Sequence, residues 1–131
     1  MPPTRGRILC TEDDVDTREL IDLVLTQHGY EVVCSAGNVQ AVDLAKTQHF
    51  DLYLVDNWVP GLSGTELTEK LRQFDLKTPV LFYTGAAYEA DRQAARKSGA
   101  QGYLVKPAGV DQLIAEVTRL IAESKTTRIE A

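Results

Sequence analysis

The side chains able to do chemistry in this chain lie in four short stretches. Glu12-Asp13-Asp14 is an acidic run, and Asp56 follows the unbroken apolar run Leu52-Tyr53-Leu54-Val55 and precedes a turn-forming Pro60-Gly61. Thr84-Gly85 closes the apolar stretch of residues 79–83, and Lys106-Pro107 closes that of residues 102–105. Carboxylates gathered in one cleft repel one another and are driven toward protonation. A divalent cation relieves that repulsion, and all-oxygen ligation with few protein carboxylates suits Mg²⁺. A lysine ammonium and a threonine hydroxyl are donors suited to a tetrahedral anion. Each piece also has an ordinary reading. Asp56 alone is a turn or cap residue, Thr84 a helix N-cap, Lys106 a surface ion pair, and the acidic run a hydrated rim.

Whether these groups meet depends on the elements that carry them. Five short apolar runs read as strands, at residues 7–11, 30–34, 52–55, 79–83 and 102–105. The run at 52–55 is apolar on both faces, as expected of a central strand in a parallel sheet. Helical spacing appears between the runs. The first helix spans about 15–28, with Leu20, Ile21, Val24 and Leu25 on a broad apolar face and Gly29 as its stop. The second opens at Gly37-Asn38 and carries Val42 and Ala45; the third follows Ser63-Gly64 with Leu67, Leu71 and Phe74. The fourth covers about 88–98 and is closed by Gly99. The fifth covers about 110–123, where Val110, Leu113, Ile114, Val117, Leu120 and Ile121 form the cleanest stripe in the chain. Residues 125–131 read as a short polar tail after a single domain of residues 1–124.

Strictly alternating strands and helices imply right-handed βαβ units around a doubly covered parallel sheet. The alternation leaves two strand orders open, the flavodoxin-like 2-1-3-4-5 and a Rossmann fragment. In either, ligands bind at the carboxyl edge of the sheet, where Glu12, Asp13, Asp56, Thr84 and Lys106 all fall.

Composition narrows the classes. A chain of 131 residues with 44% hydrophobic and 25% charged residues is ordinary for one globular domain. Its net charge of -5 argues against direct nucleic-acid binding. No apolar run is long enough for a membrane span, and the opening Met-Pro-Pro-Thr-Arg-Gly-Arg is not followed by the apolar core of a signal peptide. Cys10 and Cys34 read as free thiols of a reducing, cytoplasmic compartment. With only His28 and His49, both beside turns, a histidine metal site is not expected. Several phosphate chemistries are also excluded. The chain has neither a glycine-rich P-loop with Lys-Ser/Thr nor a G-x-G-x-x-G after a strand. Glu12-Asp13-Asp14 would repel a flavin phosphate. A haloacid-dehalogenase phosphatase needs an Asp two places after its nucleophile, where Trp58 stands.

Glu12-Asp13, Asp56 with Pro60-Gly61 and Gly64 behind it, Thr84, and Lys106-Pro107, in this order, closely resemble the response-regulator receiver domain of two-component phosphorelays. The resemblance covers roughly residues 7 to 124 and implies the flavodoxin-like (βα)5 fold with strand order 2-1-3-4-5. It implies that Asp56 accepts a phosphoryl group from the phosphohistidine of a sensor histidine kinase or phosphotransfer protein. It also implies that Asp13, Asp56 and the main-chain carbonyl of Trp58 hold Mg²⁺ (or Mn²⁺), with Glu12 acting through a water. Thr84 and Lys106 would contact the phosphoryl oxygens, and the Lys106-Pro107 bond would be cis. Thr84 and Tyr103 would switch conformation on phosphorylation and alter the surface of the fourth helix, fifth strand and fifth helix. That surface would engage a downstream protein or output domain, with homodimerisation through it left open. The domain would be regulatory rather than an enzyme acting on a separate substrate, though it would catalyse its own phosphorylation and dephosphorylation. Trp58 and Ala86, each two places after a site residue, stand where the family tunes the lifetime of the acyl phosphate. Trp58 is expected either to shield the site or to pack on the first helix or in a partner interface. Ser63 replaces a frequent Asp and should change only a helix cap. The alternative is a degenerate receiver used as a phosphorylation-independent docking module, against which the retention of all five site positions argues.

Overall fold

The computed structural model describes residues 4–35, 37–58 and 61–130, with side chains through residue 126. The elements alternate without exception: β1 (Gly6–Thr11), α1 (Val15–Gln27), β2 (Tyr30–Ser35), α2 (Asn38–Thr47), β3 (Leu52–Val55), α3 (Gly64–Arg72), β4 (Val80–Thr84), α4 (Glu89–Ser98), β5 (Gly102–Val105) and α5 (Val110–Glu130). All pairings are parallel and the sheet order is β2-β1-β3-β4-β5, the flavodoxin-like solution.

Strand periodicity explains the two cores. Successive side chains of a strand point to opposite faces. Ile8 and Cys10 of β1 therefore join Leu52, Leu54, Leu81 and Leu104 against Ile21 and Leu25 of α1 and Leu113, Val117, Leu120 and Ile121 of α5. Leu9, Tyr53, Val55, Val80 and Phe82 face the other way, against Ala41 and Ala45 of α2, Leu67 and Leu71 of α3 and Ala95 of α4. The unbroken run of β3 is thus apolar because both of its faces are covered. Register then positions the strand ends. Thr11 pairs with Val55, and Thr84 with Val105. The residues that follow, Glu12 and Asp56 on one side and Gly85 and Lys106 on the other, come off the sheet side by side.

Local signals set several helix ends. Asp14 caps α1 by accepting from Thr17 N at 2.9 Å. Ser63 and Glu66 form a reciprocal capping box on α3, each bond 3.1 Å, so the expected change at Ser63 leaves the helix capped. Gly99 ends α4 with φ of 119°, a left-handed position that suits glycine.

Some expected details differ. Leu20 is 51% exposed, because the buried stripe of α1 is narrower than its apolar composition: Ile21, Val24 and Leu25 fill it. Phe74 lies beyond the end of α3 and is 41% exposed, with Lys46 Nζ 5.8 Å from its ring centroid. The last helix does not stop near residue 123 but runs to Glu130; no Gly or Pro interrupts residues 124–130. Cys10 and Cys34 are free, and they are register partners on β1 and β2.

Candidate functional site

The carboxyl edge of the sheet brings four of the expected residues into one cluster. Carboxylate oxygens of Glu12, Asp13 and Asp56 all lie within 4.8 Å of one another. Glu12 and Asp56 are only 2% and 6% exposed, whereas Asp13 is open to solvent. From the far side, Lys106 reaches over with its Nζ 2.9 Å from Asp56 Oδ2 and also ion-pairs with Glu12 Oε1. Its ammonium lies 5.5 Å from the centroid of the Tyr83 ring, and its stem leaves the sheet at a cis Lys106-Pro107 peptide. The Lys106 N–H donates to the Thr84 carbonyl at 2.8 Å, which ties the two strand ends together.

Electrostatics at this cluster are uneven. Burial pushes the Glu12 carboxyl up to about 7, against the opposing pull of the Lys106 ammonium and with the help of neighbouring Asp56. Burial also disfavours charge on Asp56. There, hydrogen bonding to Lys106, to Glu12 and to the backbone N–H of Trp58 (3.2 Å from Oδ1) outweighs it, and Asp56 stays below the usual carboxylate range. Lys106 is held above its ordinary value: burial opposes its charge, but both carboxylates favour it more. Asp56 is thus an ionised, oriented and largely buried carboxylate at a rim that Asp13 opens to solvent.

A hard cation fits these donors. Glu12 Oε2 is buried with no hydrogen-bond partner, an orphaned acceptor that costs free energy until something pairs with it. With Asp13 and Asp56 it offers three oxygen donors on one rim, the ligand chemistry of Mg²⁺ rather than of a soft metal.

Thr84 is fully buried at the end of the neighbouring strand. Its hydroxyl accepts from Ala86 N at 3.3 Å and makes no hydrogen bond to Asp56 among the described residues. Ala86 is itself buried, and its carbonyl accepts from the Tyr103 hydroxyl at 2.6 Å. The Tyr103 ring stacks on Phe82, 5.6 Å between centroids and 11° between planes. Thr84, Ala86 and Tyr103 therefore form one hydrogen-bonded chain leading away from the acidic cluster. Trp58 is 64% exposed and lies against Gly85, where an added Cβ would meet its ring at 3.2 Å. Its indole leans across the rim between the β3 and β4 ends. Pro60 of the expected Pro60-Gly61 turn lies outside the described residues.

Three supporting residues escaped the sequence reading. Thr11 Oγ1 accepts from Asp56 N at 3.4 Å. Arg18 donates to the Glu12 carbonyl at 3.3 Å. Asn38 is fully buried and donates to the Leu62 carbonyl at 2.6 Å, anchoring the loop after β3 to the start of α2. Only Asn38 had a signal, an amide at a helix start beside Gly37, and that pattern reads as capping.

Comparison with known proteins converges on one family. The model of the response regulator receiver domain matches residues 8–118. The cell cycle response regulator CtrA of Brucella ovis is 33% identical over 91% of this chain, and the uncharacterized transcriptional regulatory protein YkoG of Bacillus subtilis is 30% identical over 93%. The chain spans 51% and 54% of those two proteins, about half their length. Among solved structures, a CheY-like receiver domain protein from Methanospirillum hungatei superposes with a TM-score of 0.90 at 25% identity, covering 96% of this chain and 99% of its own. The receiver domain of the Pseudomonas aeruginosa sensor histidine kinase PA1611, solved with magnesium in its active-site cleft, gives 0.83 at 30% identity, covering 89% and 98%. The chain belongs to the response-regulator receiver domains, regulatory modules of two-component signalling.

Proposed function

We propose that this receiver is a phosphoacceptor, with Asp56 as the nucleophile. The observation that supports this best is the Lys106 ammonium 2.9 Å from the ionised Asp56 carboxylate, beside two further acids. An Asp56 oxygen attacks the phosphorus of a phosphohistidine on a sensor kinase or phosphotransfer protein. The O–P bond forms as the P–N bond breaks, and the electron pair returns to the imidazole nitrogen. Negative charge in the transition state is spread over the phosphoryl oxygens, so positioned cations and donors supply the catalysis. Lys106 holds one of those oxygens and Thr84 another. Asp13, Asp56, the Trp58 carbonyl and, through a water, Glu12 would hold Mg²⁺ (or Mn²⁺), which neutralises charge on the phosphoryl group when bound. The Glu12 Oε2, buried with no hydrogen-bond partner, would supply the acceptor for such a water.

The same reading makes Thr84, Ala86 and Tyr103 the switch. A hydroxyl drawn toward a phosphoryl group on Asp56 lets go of Ala86 N, and the Ala86 to Tyr103 bond changes with it. Phosphorylation then shifts a two-state equilibrium by its differential affinity for the two states. The surface of α4, β5 and α5, read by a cytoplasmic protein partner or an output domain, carries the signal.

Incubation with acetyl phosphate and Mg²⁺, followed by intact-mass measurement, tests the assignment. Wild type should gain one phosphoryl group and Asp56→Asn none. Equal labelling of the two proteins would refute it.

A further inference from the structure

The sequence holds only two cysteines, Cys10 and Cys34, and the fold sets them side by side as register partners on the parallel strands β1 and β2. Neighbouring strands lie about 4.8 Å apart. A disulfide bridges Cα atoms about 4.4–6.8 Å apart. Both side chains also point to the same face of the sheet: Cys10 belongs to the core against α1 and α5, and Cys34 packs on that core. Packing alone would be met by any small apolar side chain at either position; it does not require that both cysteines of the chain share one face and one register. The two thiols differ in access. Cys10 is fully buried, whereas Cys34 is half-buried on β2, an edge strand of the sheet. Hydrogen bonding to Cys10 holds the Cys34 thiol below its ordinary value, against the opposing effect of burial, and so favours the attacking thiolate. Neither thiol takes part in the chemistry assigned to Asp56.

We propose that Cys10 and Cys34 are a redox-modification site, forming a reversible disulfide between β1 and β2 by exchange with a low-molecular-weight disulfide of the glutathione class. The accessible Cys34 sulfur attacks one sulfur of the small disulfide. That S–S bond breaks, one small thiolate leaves, and a mixed disulfide remains on Cys34. Cys10 then attacks the Cys34 sulfur, the protein S–S bond forms, and the second small thiolate leaves. The protons of the two protein thiols end on the two departing thiolates. One protein dithiol is oxidised, and one small disulfide is reduced to two thiols. A reducing poise drives the reverse exchange and returns the free thiols seen here. The bridge lies directly beneath the acidic rim. Cys10 precedes Thr11, whose hydroxyl accepts from Asp56 N, and Glu12 N donates to the Ser35 carbonyl at 3.2 Å. Joining Cys10 to Cys34 therefore pins β1 to β2 just where Glu12 leaves the sheet. The inference does not depend on Asp56 being a phosphoacceptor.

The test is equilibration of the purified protein in buffers of graded reduced and oxidised glutathione, followed by acid quenching, alkylation and intact-mass measurement. Folded wild type should lose both alkylatable thiols while staying monomeric, and should regain them with dithiothreitol. Digestion of the oxidised protein should give a peptide cross-linked between Cys10 and Cys34. Because the fold holds the two positions together, the folded protein should be half oxidised at a ratio of squared reduced to oxidised glutathione about tenfold above that of the same protein in urea. Cys10→Ala should stop at the glutathione adduct on Cys34, the half-exposed thiol, and Cys34→Ala should keep its buried thiol free. The folded-against-urea comparison uses wild type alone, so it stands even where a core variant does not fold. An equal or lower midpoint in the folded protein overturns the inference. So do two thiols that stay alkylatable in buffers that oxidise the urea-unfolded chain, and a disulfide that joins two chains instead of the two strands.

Discussion

Replacing Lys106 with Met keeps the apolar stem and removes the ammonium. In the folded protein that ammonium faces Asp56 Oδ2 at 2.9 Å and Glu12 Oε1, with Asp13 close by. Its loss leaves buried carboxylates with no internal cation. Breaking a buried pair in this way costs about 3–5 kcal/mol. Two features reduce that figure. The Lys106 side chain is 23% exposed, and Glu12, already pushed up to about 7 by burial, can take a proton. We therefore expect a loss of about 2–3 kcal/mol at neutral pH, after the discount for solvent. At roughly 4 °C per kcal/mol for a domain of this size, melting should fall by about 8–12 °C in EDTA. Mg²⁺ should then rescue Lys106→Met more than it stabilises wild type, because the metal replaces the missing cation instead of competing with it. At ten times its Kd the metal returns about 1.4 kcal/mol. Thermal melts with EDTA or Mg²⁺ at matched ionic strength make the comparison. Equal melting of variant and wild type in EDTA, or a smaller Mg²⁺ shift in the variant, would show that Lys106 does not balance these carboxylates.

Further expectations concern the rim and the frame. Trp58→Asn removes the indole lying against Gly85 and should shorten the phosphoryl lifetime roughly fivefold, about 1 kcal/mol of barrier, as read from the decay of labelled protein; an unchanged lifetime would leave the indole no shielding role. Gly64→Ala places a Cβ 2.7 Å from Phe82 Cε2 and 3.0 Å from the Asn57 Cα, so overpacking should lower stability by about 1–3 kcal/mol in urea unfolding. Asp75 accepts from Tyr53 Oη, Lys77 N and Thr78 N. Burial opposes its charge, but those bonds win and hold it at about 2. Its contribution is therefore complete above the ordinary aspartate range near pH 4 and is lost as pH falls toward 2. Asp75→Asn should cost about 1–2 kcal/mol at neutral pH after solvent screening, and should flatten the acid limb of the stability profile between pH 4 and 2.

Local pattern carried much of the architecture. The unbroken apolar run of β3 implied burial on both faces, and Leu52 to Val55 are indeed divided between the two cores. Parallel strands end at one edge, so Glu12, Asp56, Thr84 and Lys106 could be placed together before any coordinates. Strand order was not legible from periodicity, since the same alternation fits two sheets; it came from the resemblance and from the observed pairing. Composition overstated the buried stripes. Leu20 and Phe74 sit at helical spacing from core residues yet face solvent, because spacing defines an arc and only packing partners define its width. The end of α5 was invisible for the opposite reason: polar residues 124–130 look like a tail but contain nothing that breaks a helix. Contacts such as Asn38 with Leu62 and Arg92 with Tyr103 join residues far apart in the chain, and no local pattern specifies them.

The cluster itself shows why this edge is suited to chemistry. Register forces Glu12 and Asp56 together, since the strands that carry them pair at Thr11 and Val55. Burial then makes two adjacent negative charges unfavourable, and the two groups respond differently. Asp56 keeps its charge because Lys106 and the Trp58 N–H both reach it, whereas Glu12 keeps one oxygen without a partner and rises toward neutrality. The sheet thus separates an ionised carboxylate from a reluctant one within a few ångströms. A cation delivered to that rim meets a carboxylate already charged and oriented, and a second acid that gains from its arrival. An aspartate in an open turn would have neither the orientation nor the unmet demand for charge. The reactivity assigned to Asp56 is therefore a consequence of where the sheet ends and of the lysine that crosses over it.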